Sequence, residues 1–291
     1  MPSRFNLDLK TSINSLAYNN IYPNQVNCHL IYKDNAVSTK DLRMNLLSGQ
    51  MLFDGKFYKN TENNFKLTGN IKLENIDVKK TFSAFNNFGQ DFIMAKHIKG
   101  KSSSSIICNI TLNKFLEIDL DKINIDSKVS IEKGELIDFK PLESLSNYVK
   151  LDDLAHIKFS KLENEIKIKD KIISVPNMEI KSSALSLIIS GKHFFNQEYN
   201  YKISLLLSDL LAKRFRKKDK EFNNQDSTSL LKTNLQLRMV GDKENSEISF
   251  EKLKIKENLK NEIKKEILDV KKIISEEINK KESDEEDEEL E

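Results

Sequence analysis

Tryptophan is absent from the 291 residues, cysteine occurs twice, proline four times and glycine eight times. Cys28 and Cys108 stand far apart with no CxxC spacing, so neither a disulfide framework nor a cysteine zinc site is available. Both read as small buried hydrophobes. With so few glycines, none of them clustered, there is no Walker loop and no GxGxxG turn to cradle a phosphate. Long apolar runs are missing too. The most apolar stretch, 203–211, is broken by Ser204, Ser208 and Asp209 and falls far short of the roughly 18 residues a membrane span needs. Met1-Pro2-Ser3-Arg4 leads straight into an alternating segment, without the apolar core of a signal peptide.

What is abundant is charge, at 32% of residues, with lysine prominent. The formal net charge of +2 hides an asymmetry, because residues 282–291 carry eight acidic groups and no basic one. The remaining 281 residues therefore hold about ten net positive charges. Such a body invites a nucleic-acid reading, and Lys213-Arg214-Phe215-Arg216-Lys217-Lys218 is its sharpest local candidate. No RNP-type aromatic pattern accompanies the lysines, so nucleic acid is not an expected partner. The cluster reads instead as a solubilising face or, through Lys213, Arg214 and Arg216, as a contact for anionic lipid head groups.

Period-two alternation dominates residues 5–215. Phe65, Leu67, Ile71 and Leu73 alternate with Lys66, Thr68, Asn70 and Lys72, and Ile106, Cys108, Ile110 and Leu112 with Ile107, Asn109 and Thr111. Leu185, Leu187 and Ile189 share one face, as do Tyr199, Tyr201, Ile203, Leu205 and Leu207, and further on Leu235, Leu237 and Met239. Six glycines, at 55, 69, 100, 134, 191 and 241, read as bulges or tight reversals, and residues 59–64 and 195–198 as hairpin loops. The fold class is mainly β: a long curved antiparallel meander with two short amphipathic helical inserts and one long C-terminal helix.

The first insert spans 78–88, with Asp77 as N-cap, Phe82, Phe85 and Phe88 on one face and Gly89 as terminator. The second spans 141–149 behind Pro141. Residues 1–216 form the β body, 217–229 a polar linker and 230–250 a terminal hairpin. An amphipathic helix follows over 251–281, striped by Leu259, Ile263, Ile267, Val270, Ile274 and Ile278, and residues 282–291 form a disordered acidic tail.

Catalysis needs convergent groups, and the chain offers none. His29, His97, His156 and His193 are scattered singly, with no HExxH and no GxSxG, and Asp119 and Asp121 fall on a solvent-facing side of their strand. We read the protein as non-enzymatic, with no cofactor. One-sided alternation with few covering helices must bury its apolar face against a second layer, curl on itself, or hold an apolar ligand. A closed side-chain core and an apolar groove fit these residues equally well.

Several blocks carry a family resemblance. Ile76 to Phe92 (IDVKKTFSAFNNFGQDF) followed by His97-Ile98-Lys99-Gly100-Lys101, Ile131 to Ser146 (IEKGELIDFKPLESLS), Leu154 to Phe159, and Ile173 to Gly191 resemble, in that order, the C-terminal region of the AsmA-like family, especially its Bacteroidetes-type members. Leu235 to Gly241 with the Glu/Lys-rich segment after it looks like the end of the same region. The resemblance implies a repeating β-groove of the AsmA and TamB type, a taco-like sheet that carries phospholipid between inner and outer membranes. It implies a periplasmic, cell-envelope location and inner- or outer-membrane proteins as further partners. Such proteins are usually held by an N-terminal membrane helix that this sequence lacks, so the chain is expected to be part of a longer anchored protein. Under this reading Phe65, Leu67, Ile71, Leu73, Leu185, Leu187, Ile189, Ile203, Leu205 and Leu207 line the groove, and the Phe82/Phe85/Phe88 helix sits at its rim. An assembly or scaffold module for outer-membrane protein biogenesis, adding strands at a sheet edge, is the alternative.

Overall fold

A computed structural model describes residues 5–140, 154–183, 186–206, 234–243 and 245–250. The expected helices 141–149 and 251–281, the linker 217–229 and the acidic tail lie outside these residues. The chain divides into two units, residues 1–250 and 251–291, and the described residues belong to the first.

The unit is one antiparallel sheet of thirteen strands in unbroken sequence order, curved and unclosed. Its strands are β1 (Leu7–Ser15), β2 (Asn24–Lys33), β3 (Ala36–Leu46), β4 (Gly49–Lys59), β5 (Phe65–Asp77), β6 (Ile98–Leu112) and β7 (Ile118–Ile137). They continue as β8 (His156–Lys169), β9 (Ile172–Lys181), β10 (Ser186–Phe194), β11 (Tyr199–Leu206), β12 (Asn234–Gly241) and β13 (Ser246–Phe250). Every pairing is between sequence neighbours, which is what short loops and strong alternation favour over crossover connections. Register shifts interrupt five of the pairings, β2–β3, β3–β4, β5–β6, β6–β7 and β9–β10, and such bulges bend a sheet while keeping the same side chains on its inner face.

The connection between β5 and β6 holds the first insert. Asp77 caps it as expected, its Oδ1 accepting the Lys80 N–H at 2.9 Å, and α1 (Val78–Ala84) follows. The helix is shorter than the 78–88 expected from sequence. Asn87 and Phe88 take left-handed angles (φ 51° and 57°) in the 3-10 turn Asn86–Gly89, because asparagine readily enters that region and the chain reverses there. The three phenylalanines still meet across the break: Phe82 packs edge-on to Phe88 at 5.2 Å, and Phe85 stacks on it at 5.5 Å.

Gly100 and Gly191 stand at register shifts, as bulge glycines are expected to, and several mid-strand glycines have a second use. Gly134 stands opposite Phe159 in the β7–β8 ladder, and a Cβ there would strike the phenyl ring, with Cδ2 at 2.8 Å. Gly191 lies in the same way under its ladder partner Tyr201, and Gly241 under Tyr199. An aromatic ring folded across a bare backbone packs densely without displacing the strands.

Candidate functional site

The registers assemble the inward side chains into rows that cross the sheet. Phe53, Ile71, Ile106, Ser127 and Ile166 are successive partners from β4 to β8. Beside them run Phe57, Leu67, Ile110 and Ile123. A longer row passes through Cys108, Ile125, Ile168, Ile173, His193 and Tyr199, from β6 to β11. Polar residues interrupt the face in places, notably Ser104 and Asn164 on either side of Val129. Lys59 lies over the Phe65 ring at the end of its row, and other charges stand on the opposite face, where Lys99 and His156 both bond the Glu135 carboxylate, at 3.0 and 3.1 Å, and Lys128 pairs with Glu165 at 3.3 Å. Hydrogen bonds from Lys99 and then His156 hold the Glu135 carboxyl below the usual range.

Along these rows the face changes character. From β4 to β8 many of its members, including Phe65, Leu67, Ile71 and Leu73, are half-buried. Phe65 stacks on Phe57 at 5.3 Å, and Cys108 and Ser104 on β6 are buried in this region, burial pushing the Cys108 thiol pKa up. From β10 to β12 the same face is a closed core. Leu187, Tyr199, Tyr201, Ile203, Leu237 and Met239 are buried there together with Phe139, Leu154 and Ile157. Ile203 and Leu237 are 0% and 1% exposed.

The closure comes from the β5–β6 connection. Beyond α1, Phe92 and Ile93 pack against this core. Phe92 lies 5.1 Å from Phe139 and from His193, and 4.5 Å from Tyr199. Asp91 bridges to Lys243 in the β12–β13 turn at 3.2 Å. A segment inserted after β5 thus touches strands five to seven positions away, which requires the sheet to curl around it. Burial lowers the pKa of His193 and pushes that of Tyr201 up to about 12, and burial beside Lys96 lowers that of His97.

Of the groove residues expected from sequence, Phe65, Leu67, Ile71 and Leu73 stand on the half-exposed region, and Leu187 and Ile203 in the closed core with Ile189 packed against it. Leu205 is opposite Leu187 in the β10–β11 ladder. Leu185, Leu207, Lys213, Arg214 and Arg216 lie outside the described residues. Phe82 is half-buried, whereas Phe85 and Phe88 are 45% and 58% exposed. Sequence reasoning missed Phe92 and Ile93, whose only signal was an apolar pair just after a helix stop.

The remaining titratable groups do not converge. His29 pairs with Asp8 at 2.7 Å on the outer face of β1 and β2. Among the described residues no group of three or more His, Cys, Asp or Glu side chains is placed to hold a metal ion, and no helix is long and apolar enough to cross a membrane. No protein-family model, curated protein or solved structure matches the chain.

Proposed function

We propose that this protein is a non-enzymatic carrier that holds phospholipid acyl chains against the half-exposed inner face of β4 to β8, as part of lipid passage between membranes of a cell envelope. One observation carries the reading: rows of isoleucine, leucine and phenylalanine stay half-exposed across five strands while the charged residues, Lys59 at the end of the Phe65 row apart, occupy the opposite face. An acyl chain laid along these rows gains about 25 cal/mol for each Å² of apolar surface withdrawn from water, roughly 0.8 kcal/mol per methylene. Head groups remain at the open side, where no desolvation is required. The closed core supports the reading by blocking one end of the face, which gives a bound chain a terminus. The envelope location rests on the AsmA-like resemblance.

Gentle extraction followed by mass spectrometry tests it. Phospholipid is expected to copurify with the wild-type chain, and Ile71→Glu with Ile106→Glu is expected to abolish this while circular dichroism stays that of the folded sheet. A wild-type protein that purifies lipid-free and takes up no fluorescent fatty acid would sink the proposal.

A second reading is favoured by the first strand. Among the described residues β1 pairs with β2 alone, its other edge carrying no strand there, and Leu7 and Leu9 on its inner side are 40% and 41% exposed. An added strand from a membrane protein under assembly would continue the sheet there. Thr11→Pro should then eliminate partner binding and leave copurified lipid unchanged.

A further inference from the structure

The hairpin tip between β6 and β7 differs chemically from its neighbours. The turns joining β2 to β3, β4 to β5 and β8 to β9 are Asp34-Asn35, Asn60 to Asn64 and Asp170-Lys171, polar throughout. Asn113-Lys114-Phe115-Leu116-Glu117 instead places Phe115 and Leu116 at its apex, 70% and 56% exposed. Ile118 and Leu120, 52% and 48% exposed, continue the apolar surface down the next strand.

This tip is firmly built. Asn113 Oδ1 accepts the N–H groups of Phe115 and Glu117 at 2.8 and 3.1 Å, and its Nδ2 donates to Glu117 Oε2 at 2.8 Å. Backbone bonds from Asn113 N to Glu117 O, at 2.8 Å, and from Leu116 N to Asn113 O, at 3.0 Å, close the loop. Leu116 is held at φ 66°, a left-handed conformation that costs a branched residue energy. The loop therefore orders two large apolar side chains in water, where neither contributes burial to the fold.

The charges around the apex point to one kind of occupant. Nearby carboxylates are already engaged, Glu117 by Asn113, Asp119 by Lys122 at 3.7 Å and Asp121 by Lys171 at 2.7 Å. Lys114 lies over the Phe115 ring, 4.9 Å from its centroid, and has no carboxylate partner among the described residues. An apolar apex with one uncommitted cation matches the boundary between acyl chains and phosphate groups. A protein partner fits less well, since a specific interface buries about 1,000 Å² or more and a hairpin tip presents far less. The apex also continues the inner face, because Leu112 pairs with Phe65 on one side and Ile118 on the other.

We infer that the 113–117 tip is a wedge that inserts into the surface of a phospholipid bilayer and seats the mouth of the inner face upon it. Acyl chains then enter along Leu112 and Ile118; this entry route rests on the carrier reading above, whereas insertion of the tip stands without it.

Because the chain has no tryptophan, Phe115→Trp installs a single indole at the apex. With phosphatidylcholine vesicles containing a minority of phosphatidylglycerol, F115W emission is expected to shift to the blue and to be quenched by lipid brominated on its acyl chains. Thr61→Trp, on the neighbouring polar tip, should show neither effect. Phe115→Ser with Leu116→Ser should lower vesicle flotation by roughly tenfold or more, since two apolar side chains no longer leave water. An F115W emission that keeps the character of exposed indole in the presence of vesicles overturns the inference, as does undiminished flotation of the double serine variant. A blue shift that grows with protein concentration in the absence of lipid also overturns it, assigning the tip to contact between copies. The two proposals fail separately. If the double serine variant still copurifies with phospholipid, the inner face works without the wedge, and if the wild type is lipid-free while the F115W indole inserts, the carrier reading falls and the wedge stands.

Discussion

Ile71 and Ile203 occupy equivalent positions, each at mid-strand, pointing inward, with apolar partners on both sides. Ile71 stands between Phe53 and Ile106 and is half-buried; Ile203 stands between Ile189 and Leu237 and is fully buried. Strand pattern and register therefore do not account for the difference. The decisive feature is Phe92, carried from the β5–β6 connection onto β10 and β11, together with Phe139 and Leu154 from the β7–β8 connection. In a one-layered sheet the strands decide which side chains share a face, and the connections decide which part of that face is dry. Core and candidate site are one surface here, divided by where the inserts land.

Substitutions can break this contrast. The largest effect is expected at the closed end, where Leu237→Ala leaves a cavity at a 1% exposed position and should cost roughly 3 kcal/mol in chemical denaturation. Acid should act on the same end. His193 and His97 both titrate below the ordinary histidine value of 6.5 through burial, so the unfolded chain binds more protons than the folded one just below that pH. Stability held in full above pH 6.5 is thus lost as pH falls toward the lowered folded values. Melting curves between neutral and mildly acidic pH should show this slope, and His193→Gln should flatten it. Least affected is the open region: Ile71→Ser removes a methyl-rich side chain that water already reaches, and about 1 kcal/mol or less is expected in the same denaturation assay. Equal costs at Ile71 and Leu237 would mean that β4 to β8 are covered as fully as β10 to β12.

Much of this could be read in advance. Alternation placed the strands, the polar clusters at 59–64 and 195–198 marked hairpins, and Asp77 capped its helix, because each of these is decided within a few residues of backbone chemistry. Four features were not legible. The helix expected to reach residue 88 stops at Ala84, since the asparagines that follow allow a reversal that periodicity does not register. The aromatic rings that lie over Gly134, Gly191 and Gly241 are a pairing visible only once register is known. Phe92 was hidden because its partners lie about one hundred residues away. Phe115 and Leu116 are an apolar pair in a turn, and only the fold shows that they are exposed.

Local alternation and polar loops were sufficient to specify an antiparallel meander with one apolar and one charged face, because side chains two residues apart share a side of any strand. Single, scattered histidines and the lack of a phosphate-cradling glycine loop are likewise visible in the sequence alone. Where the sheet curls, which stretch of its apolar face is sealed and which stays open were decided by contacts between segments remote in sequence. Bulges bend the strands and Phe92 fills the resulting hollow, and neither the amount of bending nor the landing point of that ring follows from any local pattern.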